Sequence, residues 1–177
     1  MCEDRRVVRQ GAEGVSHDST LADLQAAFPD QVVEHPQGLD FTVVVLPDRL
    51  RELFLHLRDK AKLNYLSNLT VVDRPERFEV VYHLYSTIEP GPVFVVKVYL
   101  PDRESAHVPS AVPVWQSAYY QEREAFDMFG VVFDGHPGLT RLLLWEGFPG
   151  HPLRKDFVNR TYSFDEMGQT LPPEDQR

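Results

Sequence analysis

Cysteine is almost absent from this sequence. The one thiol, Cys2, lies beside the N-terminus, so the chain closes no internal disulfide. By itself it can build neither a thiolate zinc site nor an iron–sulfur cluster. Long apolar runs are missing as well: Phe41–Leu46 and Val93–Val96 fall far short of the roughly 20 residues that cross a bilayer. The opening Met1-Cys2-Glu3-Asp4-Arg5-Arg6 leads into no apolar segment, so no secretory signal is expected. Positive charge is scarce, with 18 Lys and Arg against 27 Asp and Glu and a net charge of −9. Such a balance argues against nucleic-acid binding, which needs a basic footprint. No serine sits in an elbow motif, and no glycine-rich phosphate cradle follows a strand. A chain with these gaps is expected in the cytosol, or on a membrane complex without entering the lipid.

What is present suits one globular domain. At 177 residues, 42% of them hydrophobic and 25% charged, the chain can bury a core. Residues 1–17 and 161–177 read as flexible tails around a domain at 18–160. Ser19 or Thr20 can cap a first helix in which Leu21, Leu24 and Phe28 recur before Pro29. Gln31–Glu34 and Leu39–Leu46 read as strands split by the turn residues Pro36-Gln37-Gly38. Asp48 can cap a second helix striped by Leu50, Leu53, Phe54 and Leu57. Strands are expected at Leu69–Val72, Phe78–Tyr85 and Val93–Leu100, the last two joined by the link Ile88–Pro92 as an antiparallel return. In the second of these, Phe78, Val80, Tyr82 and Leu84 share one face. The pattern predicts an α+β, two-layer domain: helices on one mostly antiparallel, mixed sheet, followed by an extended C-terminal loop segment.

A longer helix is expected from Pro113 to Phe129, stopped by Gly130. Trp115, Ala118, Tyr119, Phe126 and Phe129 fall on one side of it, and Glu122 falls in the middle of that stripe. A carboxylate on a core face must be paired or protonated. Its reading as a general acid or base stands against a buried pair with Arg141 or Arg154, and the rest of a catalytic set is missing. Arg123 and Asp127, four apart, read as an exposed flank pair, and Glu124 points away from the core.

Gly-His-Pro occurs twice, at 135–137 and 150–152. A metal site on His136 and His151 would need a third ligand, and only Asp134, Glu146 and Asp156 are near in sequence. The alternative is an ordered surface loop whose imidazoles bond backbone. Leu142–Trp145 reads as part core plug, part contact surface. Gly150–Phe157, rich in glycine, proline and charge, is expected to take its order from outside contacts. There Arg154 would offer a planar fork, Lys155 a point charge and Phe157 an apolar anchor.

Val108–Phe157 resembles the 30 kDa (C-type) subunit family of the proton-pumping NADH:quinone oxidoreductase, respiratory complex I. Glu122-Arg123-Glu124, then Asp127-Met128-Phe129 and His136, carry the likeness, as does the closing Gly150-His151-Pro152-Leu153-Arg154-Lys155-Asp156-Phe157. Arg74–Ser86 is also similar, and Thr140 stands where the family usually has a basic residue or proline. The resemblance implies a non-catalytic scaffold in the hydrophilic arm, on the cytoplasmic side of the inner membrane. It implies no bound cofactor and no metal, packing chiefly against the D-type subunit of the complex, with the B-type subunit near by, and no membrane insertion. It implies structural or interface roles for Glu122, Arg123, Glu124, Asp127, His136, Arg141, His151, Arg154, Lys155, Asp156 and Phe157. Two other readings stay open: the same fold in an F420H2 dehydrogenase or membrane-bound hydrogenase, and a free-standing metal hydrolase using His136 and His151.

Overall fold

A computed structural model describes residues 17–34, 40–89, 91–145 and 147–162. Most of the expected tails at 1–17 and 161–177, and the turn at 36–38, lie outside these residues. Elements run α1 (His17–Ala27), β1 (Val32–Glu34), β2 (Phe41–Val45), α2 (Leu50–Asp59), β3 (Tyr65–Asp73), β4 (Phe78–Tyr85) and β5 (Phe94–Leu100). Then come β6 (His107–Pro109), α3 (Ala118–Phe129) and β7 (Val132–Asp134). The main sheet has the order β1-β2-β5-β4-β3 and is antiparallel except where β2 runs parallel to β5. A second, two-stranded parallel sheet joins β6 to β7. This is the α+β architecture that the sequence pattern predicts.

Alternation makes the core. Phe78, Val80, Tyr82 and Leu84 on β4 are all fully buried, as are Leu50, Leu53, Phe54 and Leu57 on α2. Each of the valine, leucine and phenylalanine side chains among them contributes about 1.5–3 kcal/mol by leaving water. Phe54 meets both layers edge-on, with its ring centroid 4.8 Å from Tyr82 and 5.0 Å from Trp115.

Several boundaries move, each for a local reason. Helix α1 starts at His17, before the expected caps, because the buried His17 ring bonds the Pro92 carbonyl (2.9 Å) and packs on Phe41 and Phe94. Asp48 does not cap α2; Arg49 takes that position without a capping bond from its side chain. Strand β3 begins four residues earlier than expected, because a register shift between Leu66 and Asn68 breaks the alternation that the eye follows. Helix α3 starts at Ala118, not Pro113: Val114 and Trp115 both donate to the Ala111 carbonyl, winding the chain into turns first.

Helix α3 lies along the free edge of β3, where strand groups lack a neighbour. Side chains of the helix and of the turn that leads into it fill the gap. Trp115 Nε1 donates to Leu63 O (3.2 Å), Ser117 Oγ to Leu66 O (2.9 Å), and Gln121 Oε1 accepts from the Leu69 amide. Gly130 then ends the helix in the left-handed region at φ 77°. A Cβ there would stand 2.5 Å from His151 Nε2 and 2.7 Å from an Arg154 nitrogen. Gly130→Ala is therefore expected to lose more than the roughly 1–2 kcal/mol of left-handed strain. Urea unfolding of the variant beside wild type checks it.

Candidate functional site

The residues singled out by sequence converge on α3 and on the strap, residues 135–157, that wraps it. Its centre is Asp127, whose side chain is fully buried. One oxygen accepts the successive amides of Leu142 (3.0 Å), Leu143 (2.8 Å) and Leu144 (2.9 Å). The other takes Arg141 at 2.8 Å. Three adjacent N–H groups pointing at one oxygen form a backbone nest for an anion. Burial works against the charge, but these donors outweigh it and hold the Asp127 carboxyl below the usual carboxylate range. The expected exposed pair of Arg123 with Asp127 does not form. Arg123 instead donates to the carbonyls of Thr140 (3.1 Å) and Arg141 (2.9 Å), because the strap covers that flank.

The C-terminal end of α3 is completed from twenty-odd residues downstream. The last four carbonyls of a helix have no partner within it. Here Phe126 O accepts from the Gly130 amide, Asp127 O from His151 Nδ1 (3.0 Å), Met128 O from the Leu153 amide (3.2 Å) and Phe129 O from Arg154 Nε (2.6 Å). Arg154 also brings positive charge to the negative end of the helix dipole, and its guanidinium lies 5.2 Å from the Phe78 ring centre. Burial first, then Arg154 and Arg141, lowers the His151 pKa, which keeps the ring a neutral donor at Nδ1.

The first Gly-His-Pro copy does matching work near the start of the helix. His136 Nε2 donates to Tyr119 O (3.0 Å) while its Nδ1 accepts the Gly138 amide (2.9 Å), so the ring is held in one tautomer. Each histidine thus braces one end of α3. Among the described residues no three or more His, Cys, Asp or Glu side chains gather as a ligand set; Glu146 lies outside them.

Gly150–Phe157, expected to take its order from outside contacts, has fastenings of its own within the chain. Besides its bonds to α3, the Lys155 amide donates to Asp73 Oδ2 (2.8 Å), which also pairs with Arg103 (3.0 Å). Asp156 reaches Arg103 at 3.5 Å, and Phe157 stacks on the buried Phe148 at 5.9 Å. Arg141 donates to Phe148 O and Gly150 O as well, tying the strap to itself. Asp73 was not anticipated: a carboxylate at the end of a strand gives no local sign of a partner 82 residues away.

Glu122 is fully buried, as its helical phase requires. Neither Arg141 nor Arg154 reaches it, since both are bound elsewhere on the strap. Its partners are the Ser110 hydroxyl (2.7 Å) and the Ala111 amide (2.6 Å), on the turn before the helix. Those two bonds and the more distant Arg51 charge do not offset burial, which pushes the carboxyl up to about 7. Glu124, by contrast, is exposed.

Fold and site together define an α+β domain whose most conspicuous polar residues secure a strap across one helix. Residues 43–163 match the family described as the 30 kDa subunit of respiratory-chain NADH dehydrogenase. The C-type subunit of NADH-quinone oxidoreductase from Moorella thermoacetica is 48% identical over 148 residues, spanning 81% of this chain and 97% of that protein. The protein of the same name from Roseiflexus castenholzii is 45% identical, spanning 80% and 84%. A solved trypsin-resistant fragment of Nqo5 superposes with a TM-score of 0.59 at 33% identity, covering 70% of this chain and 98% of the fragment. A chain of an archaeal membrane-bound sulfane sulfur reductase shares the fold, with a TM-score of 0.64 at 23% identity, over 80% and 85%. The chain belongs to the respiratory-chain NADH dehydrogenase 30 kDa subunit family.

Two expectations follow from the buried acids. Glu122 binds a proton more tightly folded than unfolded, so its contribution to stability is complete below its unfolded value near 4.5 and is lost as pH rises to about 7. Glu122→Gln keeps an acceptor for Ala111 and a donor for Ser110 without the charge. Its stability relative to wild type should therefore rise by about 2–3 kcal/mol between pH 5 and pH 8; a difference flat with pH, by urea unfolding, contradicts the neutral acid. Asp127→Ala strands Arg141 and three amides, and should cost about 3–5 kcal/mol. Amide exchange should quicken first at Leu142–Leu144.

Proposed function

We propose that this chain is a non-redox structural subunit of a proton-translocating NADH:quinone oxidoreductase. It packs in the hydrophilic arm chiefly against the D-type subunit, with the B-type subunit near by, on the cytoplasmic side of the inner membrane. It supports electron transfer from NADH to quinone without binding a cofactor or metal itself, and alone it is inactive. The observation that supports this best is how the conspicuous side chains are used. His136, His151, Asp127, Arg141 and Arg154 all bond backbone or each other, fastening the strap to α3. Glu122 has a raised pKa of the kind found in general acids, yet it is sealed from solvent and so from any substrate.

Peripheral attachment agrees with the absence, among the described residues, of a helix long and apolar enough to cross a membrane. The exposed surface left for a partner includes Glu124 together with Lys155 and Asp156 at the outer edge of the strap. Arg154 and Phe157 serve first to hold the strap, so their replacement acts on partners through its shape. Purification through a tag on this chain from its native membranes should bring down the D-type and B-type subunits and NADH:quinone activity. The separated chain should show no absorbance between 350 and 500 nm and no turnover. A stoichiometric chromophore on the separated chain would overturn the non-redox role, and co-purification of F420- or hydrogen-oxidising subunits would move it to a related assembly.

A further inference from the structure

The strap covers one flank and the C-terminal end of α3 but leaves a strip of the helix open. On a helix turning about 100° per residue, Glu124 falls between Asp127 and Met128. The nest on Asp127 holds Leu143 on one side of this strip, and the bond to Met128 O holds Leu153 on the other. Both leucines face water, at 64% and 54% exposure, and Tyr120 at the head of the strip is 62% exposed. Between α3, β3 and Leu153 lies a pocket of about 80 Å³, walled by Val71, Ala125, Met128 and Leu153 with Glu124 at its rim. That is the space of two or three water molecules, enough for the tip of one branched aliphatic side chain.

Among the described residues nothing pairs with Glu124, whereas its neighbours on either side, Arg123 and Asp127, are both bound to the strap. The strip therefore presents large apolar side chains around one unpaired negative charge. Their positions are rigid, because the segments carrying Leu143 and Leu153 are fixed to the helix by backbone bonds. Rigidly displayed apolar groups around a small pocket, with a charge at the rim, are the makings of an interface centre.

We infer that this strip is a docking cradle for a neighbouring subunit's segment that places an aliphatic side chain in the pocket beside Met128 and a lysine or arginine on Glu124. This rests on the proposed role as a subunit of a larger assembly. A cation is required because an apolar partner alone would cover Glu124 and leave its charge buried without compensation.

The test uses the intact complex carrying single-cysteine variants Tyr120→Cys or Leu153→Cys in a Cys2→Ser background. Maleimide labelling of this chain is followed by mass spectrometry, with each variant's urea-denatured sample as its own reference. Positions this exposed in the folded chain should label within about threefold of the denatured rate if no partner covers them. The cradle predicts at least tenfold slowing at both sites; slowing of threefold or less at either overturns it. Glu124→Lys should lower the yield of complex at least fivefold and Glu124→Gln clearly less, while wild-type yield with Glu124→Lys overturns the cationic partner. If the tagged wild-type chain brings down no other subunit, the proposed function itself falls, and the cradle with it.

Discussion

Where a helix of twelve residues ends at a glycine turn, four carbonyls need donors, and here the donors come from a distant stretch of chain. Gly130 serves one of them; His151, Leu153 and Arg154 serve the other three. The geometry depends on Gly130, since any side chain at that position would occupy the space of the His151 and Arg154 heads. The strap can reach those carbonyls only if its earlier part is already turned back along the helix. Asp127 does that, gathering three successive amides and Arg141 onto one carboxylate. Helix and strap are thus each other's completion: α3 lacks its C-terminal partners without the strap, and the strap lacks a reason to fold without α3.

A segment so poor in secondary structure can be ordered because its polar groups are answered one by one. Loops in compact domains pay for order in backbone entropy, and this one offsets that cost with charge-assisted bonds to buried or half-buried acceptors. Asp73 adds a last fastening at the far end of β3, receiving the Lys155 amide and Arg103 together. The apolar share is concentrated at Phe148, which is buried beside Trp145, Phe157 and Tyr162. The result is a rigid surface built from irregular backbone.

Much of the frame was legible in the sequence because it obeys a period. The alternation from Phe78 to Leu84 and the stripe from Leu50 to Leu57 each identify a buried face without reference to anything distant. Gly130 after Phe129 marks a stop for the same local reason, and Glu122 declares its burial by helical phase. The strap was not legible in this way. Its residue types suggested an outward-facing grip, yet Arg154 and Phe157 are held inward, because their acceptors and ring partners are assembled only by the fold. Arg123 and Asp127 had the spacing of a surface pair, but the strap supplies each with stronger partners than the other could be. Ser110, Asp73 and Arg103 carried no signal, since a lone polar residue near a strand end looks the same whether its partner is water or a buried acid.

The two buried acids of α3 show burial and partners competing over a charge. Glu122 and Asp127 lie five residues apart, both sealed from water. Asp127 receives three amides and a guanidinium and stays ionised; Glu122 receives one amide and one hydroxyl and is pushed up to about 7. Desolvation opposes the charge in both and weighs more heavily on Glu122, while Asp127 has more donors, one of them charged, to set against it. An aliphatic side chain in place of Glu122 would pack well enough, but it would leave the buried Ala111 amide without an acceptor. The carboxyl is needed for that turn, which sets Val114 and Trp115 ahead of the helix and so positions α3 against β3. Asp127 holds the strap, Glu122 holds the turn, and between them they fix both ends of the helix on which the proposed interface stands.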